Sequence, residues 1–278
     1  MSDVETPLPF ETALLQIADG VATLRLNRPD TLNSMNNHLM DDISSGVAAA
    51  EADPSVGVLV ITGTGRAFCA GADLNTVGPD DDDGADGDDD AVPTAVTDGM
   101  DNHFNPAMRA IKNCSVPTVA RINGVAAGGG LGLALACDIA VAARSAFFVA
   151  TFGPRLGIVP DLGSTWSLPA KLGQARSMAM AMLGDRITAE QAEEWGMIYK
   201  VVDDEQLDGE LDRVTDVLKR TSGEAMQRIR SSIASASTRS FSDQLDLERD
   251  HQAVLIPMNM GEGAAAFLEK REPNFRSG

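Results

Sequence analysis

Along residues 11–26 apolar and polar side chains mix on either side of Asp19-Gly20, which predicts two short strands joined by a tight hairpin turn. After Asn27-Arg28-Pro29-Asp30 the spacing changes. Leu39, Ile43, Val47 and Ala50 recur at helical intervals and predict a helix from about Asn36 to Ala52. Gly57–Gly63 is a continuous apolar run of strand length, as expected of a strand covered on both faces. Gly65–Leu74 reads as a loop, Asp98–Asn113 as a helix, and Pro117–Ile122 as a further buried strand. Strand-like runs follow at 139–143, 146–149 and 199–202, with helical segments at 172–183 and 188–195. From about Asp203 to Phe267 the pattern is helical throughout. Strands mixed with helices and then helices alone predict an α/β core over residues 1–202 with a C-terminal helical region over 203–278.

One stretch of this pattern carries candidate chemistry. Asn123-Gly-Val-Ala-Ala-Gly-Gly-Gly130 lies between a predicted strand and an Ala/Leu-rich helix. A helix start leaves N–H groups unpaired and its dipole favours negative charge, so these amides suit an oxyanion or a phosphate. Glycine lets a ligand approach the backbone closely. A tight turn packed against the sheet accounts for the same glycines.

Composition narrows the setting. The chain has 278 residues and a formal net charge of −19; eight of its acids fall in the run Asp80–Asp90, so the acidity is spread well beyond that run. Only five lysines occur, at 112, 171, 200, 219 and 270. Such a surface suits molar salt, where the Debye length is about 3 Å, and a halophilic source is expected. It excludes nucleic acid and an anionic membrane as expected partners. The N-terminus lacks a signal-peptide pattern and no apolar run reaches membrane-spanning length, so a cytoplasmic location is expected. Cys69, Cys114 and Cys137 read as reduced thiols, and His38, His103 and His251 are too scattered for a metal site. Residues 76–96, rich in Asp, Gly and Pro, are expected to be mobile, either as a lid beside the site or as a solvated insertion.

Leu26-Asn-Arg-Pro-Asp-Thr-Leu-Asn-Ser-Met-Asn36, Gly65-Arg-Ala-Phe-Cys-Ala-Gly-Ala-Asp-Leu74 and Asn123–Gly130 together resemble three signatures of the crotonase, or enoyl-CoA hydratase/isomerase, superfamily. The resemblance spans nearly the whole chain. It implies a crotonase-like spiral of ββα units, a C-terminal helical trimerisation region forming a homotrimer or a dimer of trimers, and acyl-CoA thioester substrates. Coenzyme A is then part of the substrate and no separate cofactor is implied. The resemblance places the oxyanion hole at the backbone N–H groups of Ala72 and Gly129. It places CoA and substrate contacts at Thr31, Leu32, Ala70, Asp73, Leu74 and Gly128, with Phe267 and Lys270 reaching a neighbouring subunit's CoA. Asp73 reads equally as a turn-stabilising residue, and Phe267 and Lys270 as ordinary helix positions. Asp30 stands where several relatives carry a lysine near the CoA phosphates, which leaves Arg28 or Lys270 to supply that charge.

Two glutamates of the family's hydratases fall at Gly132 and about Gly153, so the pair that would activate water is missing. Asp161 is the remaining candidate base. By pattern alone it could equally cap the following helix. Pro160-Asp-Leu-Gly-Ser-Thr-Trp-Ser-Leu-Pro169, Glu190–Ile198, Val201–Glu205 and Asp243–Asp250 resemble the phenylacetate-degradation branch, the epoxyphenylacetyl-CoA isomerases, in which the Asp of the Pro-Asp pair is catalytic. The implied activity is acyl-CoA isomerisation, shifting a double bond or opening a ring epoxide, with an apolar wall from Trp166 or Phe104 raising the Asp161 pKa. An enoyl-CoA hydratase-family enzyme of other specificity, an aryl-CoA dehalogenase with His103 as its histidine, and a non-catalytic acyl-CoA-binding protein are the rival readings.

Overall fold

The computed structural model describes residues 8–75 and 96–275, so the acidic stretch expected to be mobile lies, but for its last residue, outside the described residues. Strands β2 (Ala13–Ala18) and β3 (Val21–Leu26) form the predicted hairpin, with Ala18 paired to Val21. Asp19 and Gly20 both take positive φ, 50° and 80°, which matches the twist of the flanking strands. The short β1 (Leu8–Pro9) pairs antiparallel with β2. Beyond the hairpin the main sheet is parallel: β3 is followed by β4 (Val58–Gly63), β6 (Thr118–Ile122), β8 (Ile139–Ala143) and β11 (Lys200–Val202). A second sheet holds β10 (Ile187–Thr188), β9 (Phe147–Val149), β7 (Val125–Ala127) and β5 (Ala67–Cys69), in that order.

Strands β4, β6 and β8 of the main sheet are each followed by a short strand of the second sheet, β5, β7 and β9, and then by a helix. This is the spiral of ββα units that the sequence signatures implied. Strand β4 is buried along its length because both faces are covered. Leu59 and Ile61 face the larger core with Leu39, Ile43 and Val47 of helix α1 (Asn37–Ala52) and with Ile111 of α2 (Asn105–Asn113). Val58 and Val60 face the other way, against Leu207, Val214 and Leu218 of a later helix. Asn36 caps α1 by accepting a hydrogen bond from the Leu39 N–H at 3.0 Å.

The following helices are α3 (Gly129–Ala136), α4 (Ser164–Leu183), α5 (Ala189–Glu194), α6 (Leu207–Leu218), α7 (Gly223–Ser235) and α8 (Phe241–Glu269). All eight residues of α3 are buried, so its approach to the second sheet is close. Helix α6 packs on the main sheet itself, and α7 is tied to the core by Arg230. That guanidinium spans both carboxylate oxygens of Asp138, at 2.7 and 2.5 Å, and donates to the Cys114 carbonyl.

Two short strands beside the site and the start of one helix differ from expectation. β5 and β7 lie inside segments read as loop and turn; each has three residues, too few to show alternation, and they exist through pairing, β5 with β7 and β7 also with β9. Helix α4 begins at Ser164, eight residues before the predicted 172, because Pro169 and Gly173 look like breakers in sequence. Gly173 does kink the helix, at φ 73° and ψ 167°, and the chain resumes helically on both sides.

Candidate active site

Helix α3 starts at a glycine that no other residue would replace easily. Gly128 has φ 51° and ψ −123°, and its N–H donates to the Val149 carbonyl at 3.0 Å. Its own carbonyl accepts from Leu131, which leaves the Gly129 and Gly130 N–H groups with no backbone acceptor among the described residues. A second arm comes from the 70–73 segment. Met35 donates to the Gly71 carbonyl at 2.7 Å and Asp73 donates to the Met35 carbonyl at 2.8 Å. Successive residues of such an extended pairing face opposite sides, so the Ala72 N–H lies on the side away from Met35, again without a backbone acceptor among the described residues. The arms touch: a Cβ on Gly71 would sit 3.4 Å from the Gly129 nitrogen and 2.9 Å from the Ala127 carbonyl oxygen. Beneath them the Cys69 thiol is wholly buried, which pushes its pKa up to about 12 and keeps it protonated.

Asp161 lies in a tight loop over the same helix. Leu162 and Gly163 both take positive φ, 48° and 75°, and the Asp161 carbonyl accepts from the Ser164 N–H at 2.9 Å. The residue that caps α4 is Gly163, with no side-chain cap, so the capping reading of Asp161 is set aside. Burial raises the Asp161 carboxyl above its ordinary value, opposed in part by its own backbone N–H. The neighbouring Leu162 is 5% exposed and its Cδ1 lies 2.7 Å from where a Cβ on Gly129 would be.

A cleft of about 410 Å³ opens beside the Ala72 arm, lined by Thr31, Leu32, Ala70, Ala72, Asp73 and Leu74 among others. The loop that carries Leu32 is stitched down by Asn33, which is 0% exposed. Its side chain accepts from the Arg28 N–H and donates to the carbonyls of Thr64, Ala67 and Phe68. Leu32 and Asn33 both have positive φ, a conformation that asparagine tolerates better than most residues.

The sequence pattern described as enoyl-CoA hydratase/isomerase matches residues 16–278. The chain belongs to that family. It is 41% identical over 269 residues to a 1,2-epoxyphenylacetyl-CoA isomerase of Escherichia coli (strain K12), covering 96% of this chain and 98% of that one. It is 34% identical to a probable enoyl-CoA hydratase of Rhodobacter capsulatus, over 96% and 99% of the two chains. Among solved structures, an enoyl-CoA hydratase from Polaromonas sp. JS666 superposes with a TM-score of 0.83 at 31% identity, covering 94% of this chain and 98% of that one.

Within this crotonase-family frame several side chains behave differently from expectation. The Asp73 carboxylate is buried, which by itself would raise its pKa; Arg28 at 2.7 Å and the Asn75 amides outweigh that and lower it. Asp73 therefore stabilises its own turn, and Arg28 is committed to Asp73 and to the Ser34 carbonyl. The suggestion that Arg28 supplies charge to CoA phosphates is corrected on that ground. Arg66, which sequence reasoning passed over, lines the cleft as an exposed guanidinium. Its only signal was being the one cation in the Gly65–Leu74 signature.

Trp166 is 57% exposed with the Lys112 ammonium 5.3 Å over its ring, so it is not a buried wall. Phe104 is half-buried against the core. His103 is held 2.8 Å from Asp41 of helix α1. Phe267 is 83% exposed and Lys270 ends α8; neither lines the cleft of their own chain. Gly153 lies on a π-helical turn, Phe152–Leu156, where a Cβ would come 3.0 Å from the Ala181 carbonyl oxygen. No group of three or more His, Cys, Asp or Glu side chains could hold a metal among the described residues, and no described helix is long and apolar enough to cross a membrane.

Proposed function

We propose that the protein is an acyl-CoA isomerase in which Ala72 and Gly129 donate their N–H groups to the thioester oxygen and Asp161 is the single acid/base. One observation carries the reading: the half-buried Asp161 carboxyl in the loop whose next residue, Leu162, packs on Gly129, while neither hydratase position carries a carboxylate. Asp161 removes the C2 proton of a 3-enoyl-CoA. The C–H electron pair moves into the C1–C2 bond, and negative charge collects on the thioester oxygen between the two amides. Asp161 then returns the proton at C4, and the double bond becomes conjugated with the thioester. A raised carboxyl pKa suits this exchange, because it brings the base closer to the acidity of the carbon acid. The likeness to an epoxyphenylacetyl-CoA isomerase supports a ring epoxide as a second substrate of the same carboxylate. The pairing of His103 with Asp41 counts against the dehalogenase reading.

The test is an assay in molar KCl, as the acidic surface recommends, following formation of the conjugated enoyl thioester from 3-enoyl-CoA. A parallel assay follows loss of 2-enoyl-CoA by hydration. Isomerisation without hydration is expected; hydration without isomerisation would overturn the reading, and tight binding with no turnover would favour a binding protein.

The cleft beside Ala72 takes the CoA moiety, and Arg66 supplies its phosphate contact. Replacing Arg66 by alanine is expected to raise KM for CoA thioesters about tenfold at low salt, the order of one charged hydrogen bond. The effect shrinks in molar salt as the Debye length falls to about 3 Å, and kcat stays unchanged. Helix α8 buries only Ala266 within the chain and exposes Phe241, Leu245, Ile256, Met258, Phe267 and Leu268. Those faces support assembly as a homotrimer or a dimer of trimers, in which Phe267 and Lys270 reach a neighbour's CoA. Sedimentation equilibrium in molar KCl is expected to return three or six times the 29.2 kDa chain mass, and a monomer would exclude it.

A further inference from the structure

Gly132 does more than omit a carboxylate. A Cβ placed on it would lie 2.6 Å from the Leu162 carbonyl oxygen, 3.0 Å from the Leu162 Cβ and 3.0 Å from the Ser164 Oγ. The nearest of these atoms is backbone, which cannot swing aside as a long side chain can. Ser164 is fully buried and its hydroxyl has no hydrogen-bond partner among the described residues. Leu162 itself has φ 48°, a costly conformation for a branched side chain and one that needs its surroundings to hold it. What holds it is visible at its two ends: the carbonyl lies against Gly132, and the side chain lies against Gly129, in the space next to the Met35 sulfur.

We propose that Leu162 is a positioning residue for the Asp161 base and that Gly132 is required for it. The left-handed turn at Leu162 needs a glycine at 132 to seat its carbonyl, and that turn fixes where the preceding carboxyl stands relative to the Gly129 amide. A side chain at 132 and this loop conformation exclude each other. A hydratase-type glutamate at 132 and an Asp161 base are thus alternative settings of one contact, and the contact is a determinant of reaction type. The inference rests on Asp161 being the base, and it concerns what places that base. A separate cleft of about 310 Å³ is lined by Leu162 and Gly163, and its charged lining groups are Arg109 and Lys112 of helix α2.

The experiment titrates the Asp161 carboxyl by ¹³C NMR in the full-length protein, assigned by loss of its signal in Asp161→Asn. The same titration is run on Gly132→Ala, Leu162→Ala and the conservative Leu162→Met, with thermal unfolding as a fold control. In Gly132→Ala and Leu162→Ala the Asp161 midpoint is expected to move down toward that of an exposed carboxyl. Their kcat on 3-enoyl-CoA should fall about 10- to 100-fold, the scale of a misplaced catalytic group, with KM within about threefold. Leu162→Met should keep both. Should Gly132→Ala not fold, Leu162→Ala carries the same titration. An unmoved Asp161 midpoint with unchanged kcat in the folded variants overturns the proposal. Undiminished turnover in Asp161→Asn overturns the base assignment instead, a separate outcome because the titration does not depend on turnover.

Discussion

Asp161→Asn is expected to lower kcat for double-bond transfer by about 10²- to 10⁴-fold, the usual worth of a positioned general base, and to leave KM little changed. Asparagine keeps the size and the backbone of the site but cannot take the proton. In the wild type the rate should fall as pH drops through the Asp161 midpoint, because the ionised form is the base. That midpoint lies above the ordinary 3.8 of an aspartate, since burial penalises the charge. Stability responds in the opposite direction. A carboxyl whose folded pKa is raised binds its proton in the native state while the unfolded chain has already lost it. The penalty is absent below the unfolded value, builds as pH rises through the window, and is complete above the folded value. Asp161→Asn should therefore unfold at a higher temperature than wild type at neutral pH, with the difference vanishing in acid. A variant with full turnover, or a wild-type acid limb at an ordinary carboxylate value, would remove Asp161 from the mechanism.

Gly130→Ala should be the most damaging glycine substitution in the site. The added Cβ would lie 2.2 Å from the Cys69 carbonyl oxygen and 2.8 Å from its carbon, both backbone atoms. Cys69 ends β5 and leads into the arm that presents Ala72, while Gly130 is the second residue of the helix that presents Gly129. Relief of the clash must move one arm away from the other. Loss of one donor to a developing oxyanion typically costs about 10² to 10³ in rate, and that is the expected fall in kcat. The overpacking should also cost about 1–3 kcal/mol of stability, measured by denaturant unfolding at fixed salt. Gly209→Ala, on α6 with nothing within 4 Å of the added carbon, is the control and should leave both quantities nearly unchanged. Equal effects at the two positions would mean that the arm spacing has no part in catalysis.

Much of the fold was legible because its signals are local. Asp19-Gly20 specified its hairpin, the continuous run at Val58–Gly63 specified a strand covered on both sides, and Asn36 stood at the start of α1 as a capping residue should. The glycine turn before α3 was equally legible, since helix starts leave amides unpaired wherever they occur. Asp161 was legible as a candidate and ambiguous in role, because an aspartate near a helix start satisfies two patterns at once. The ambiguity ended with the backbone of Gly163, which takes the capping position and leaves the Asp161 side chain uncapping.

By itself, then, the sequence determined the order of the longer strands and helices, the glycines at the turn, and the absence of acids at residues 132 and 153. Only the tertiary structure decided that β5 and β7 exist, that Arg28 belongs to Asp73 while Arg66 lines the cleft, and that Gly132 has no room for a side chain. The physical reason is common to all of these. Each is a contact between segments distant in sequence, such as 69 against 126, 28 against 73 and 132 against 162, and hydrogen-bond partners, burial and steric room at such contacts are properties of the packed pair. The glycine turn before α3 shows the division most plainly: its sequence provides amides without helical acceptors, and only packing brings the Ala72 arm and the Leu162 loop around them.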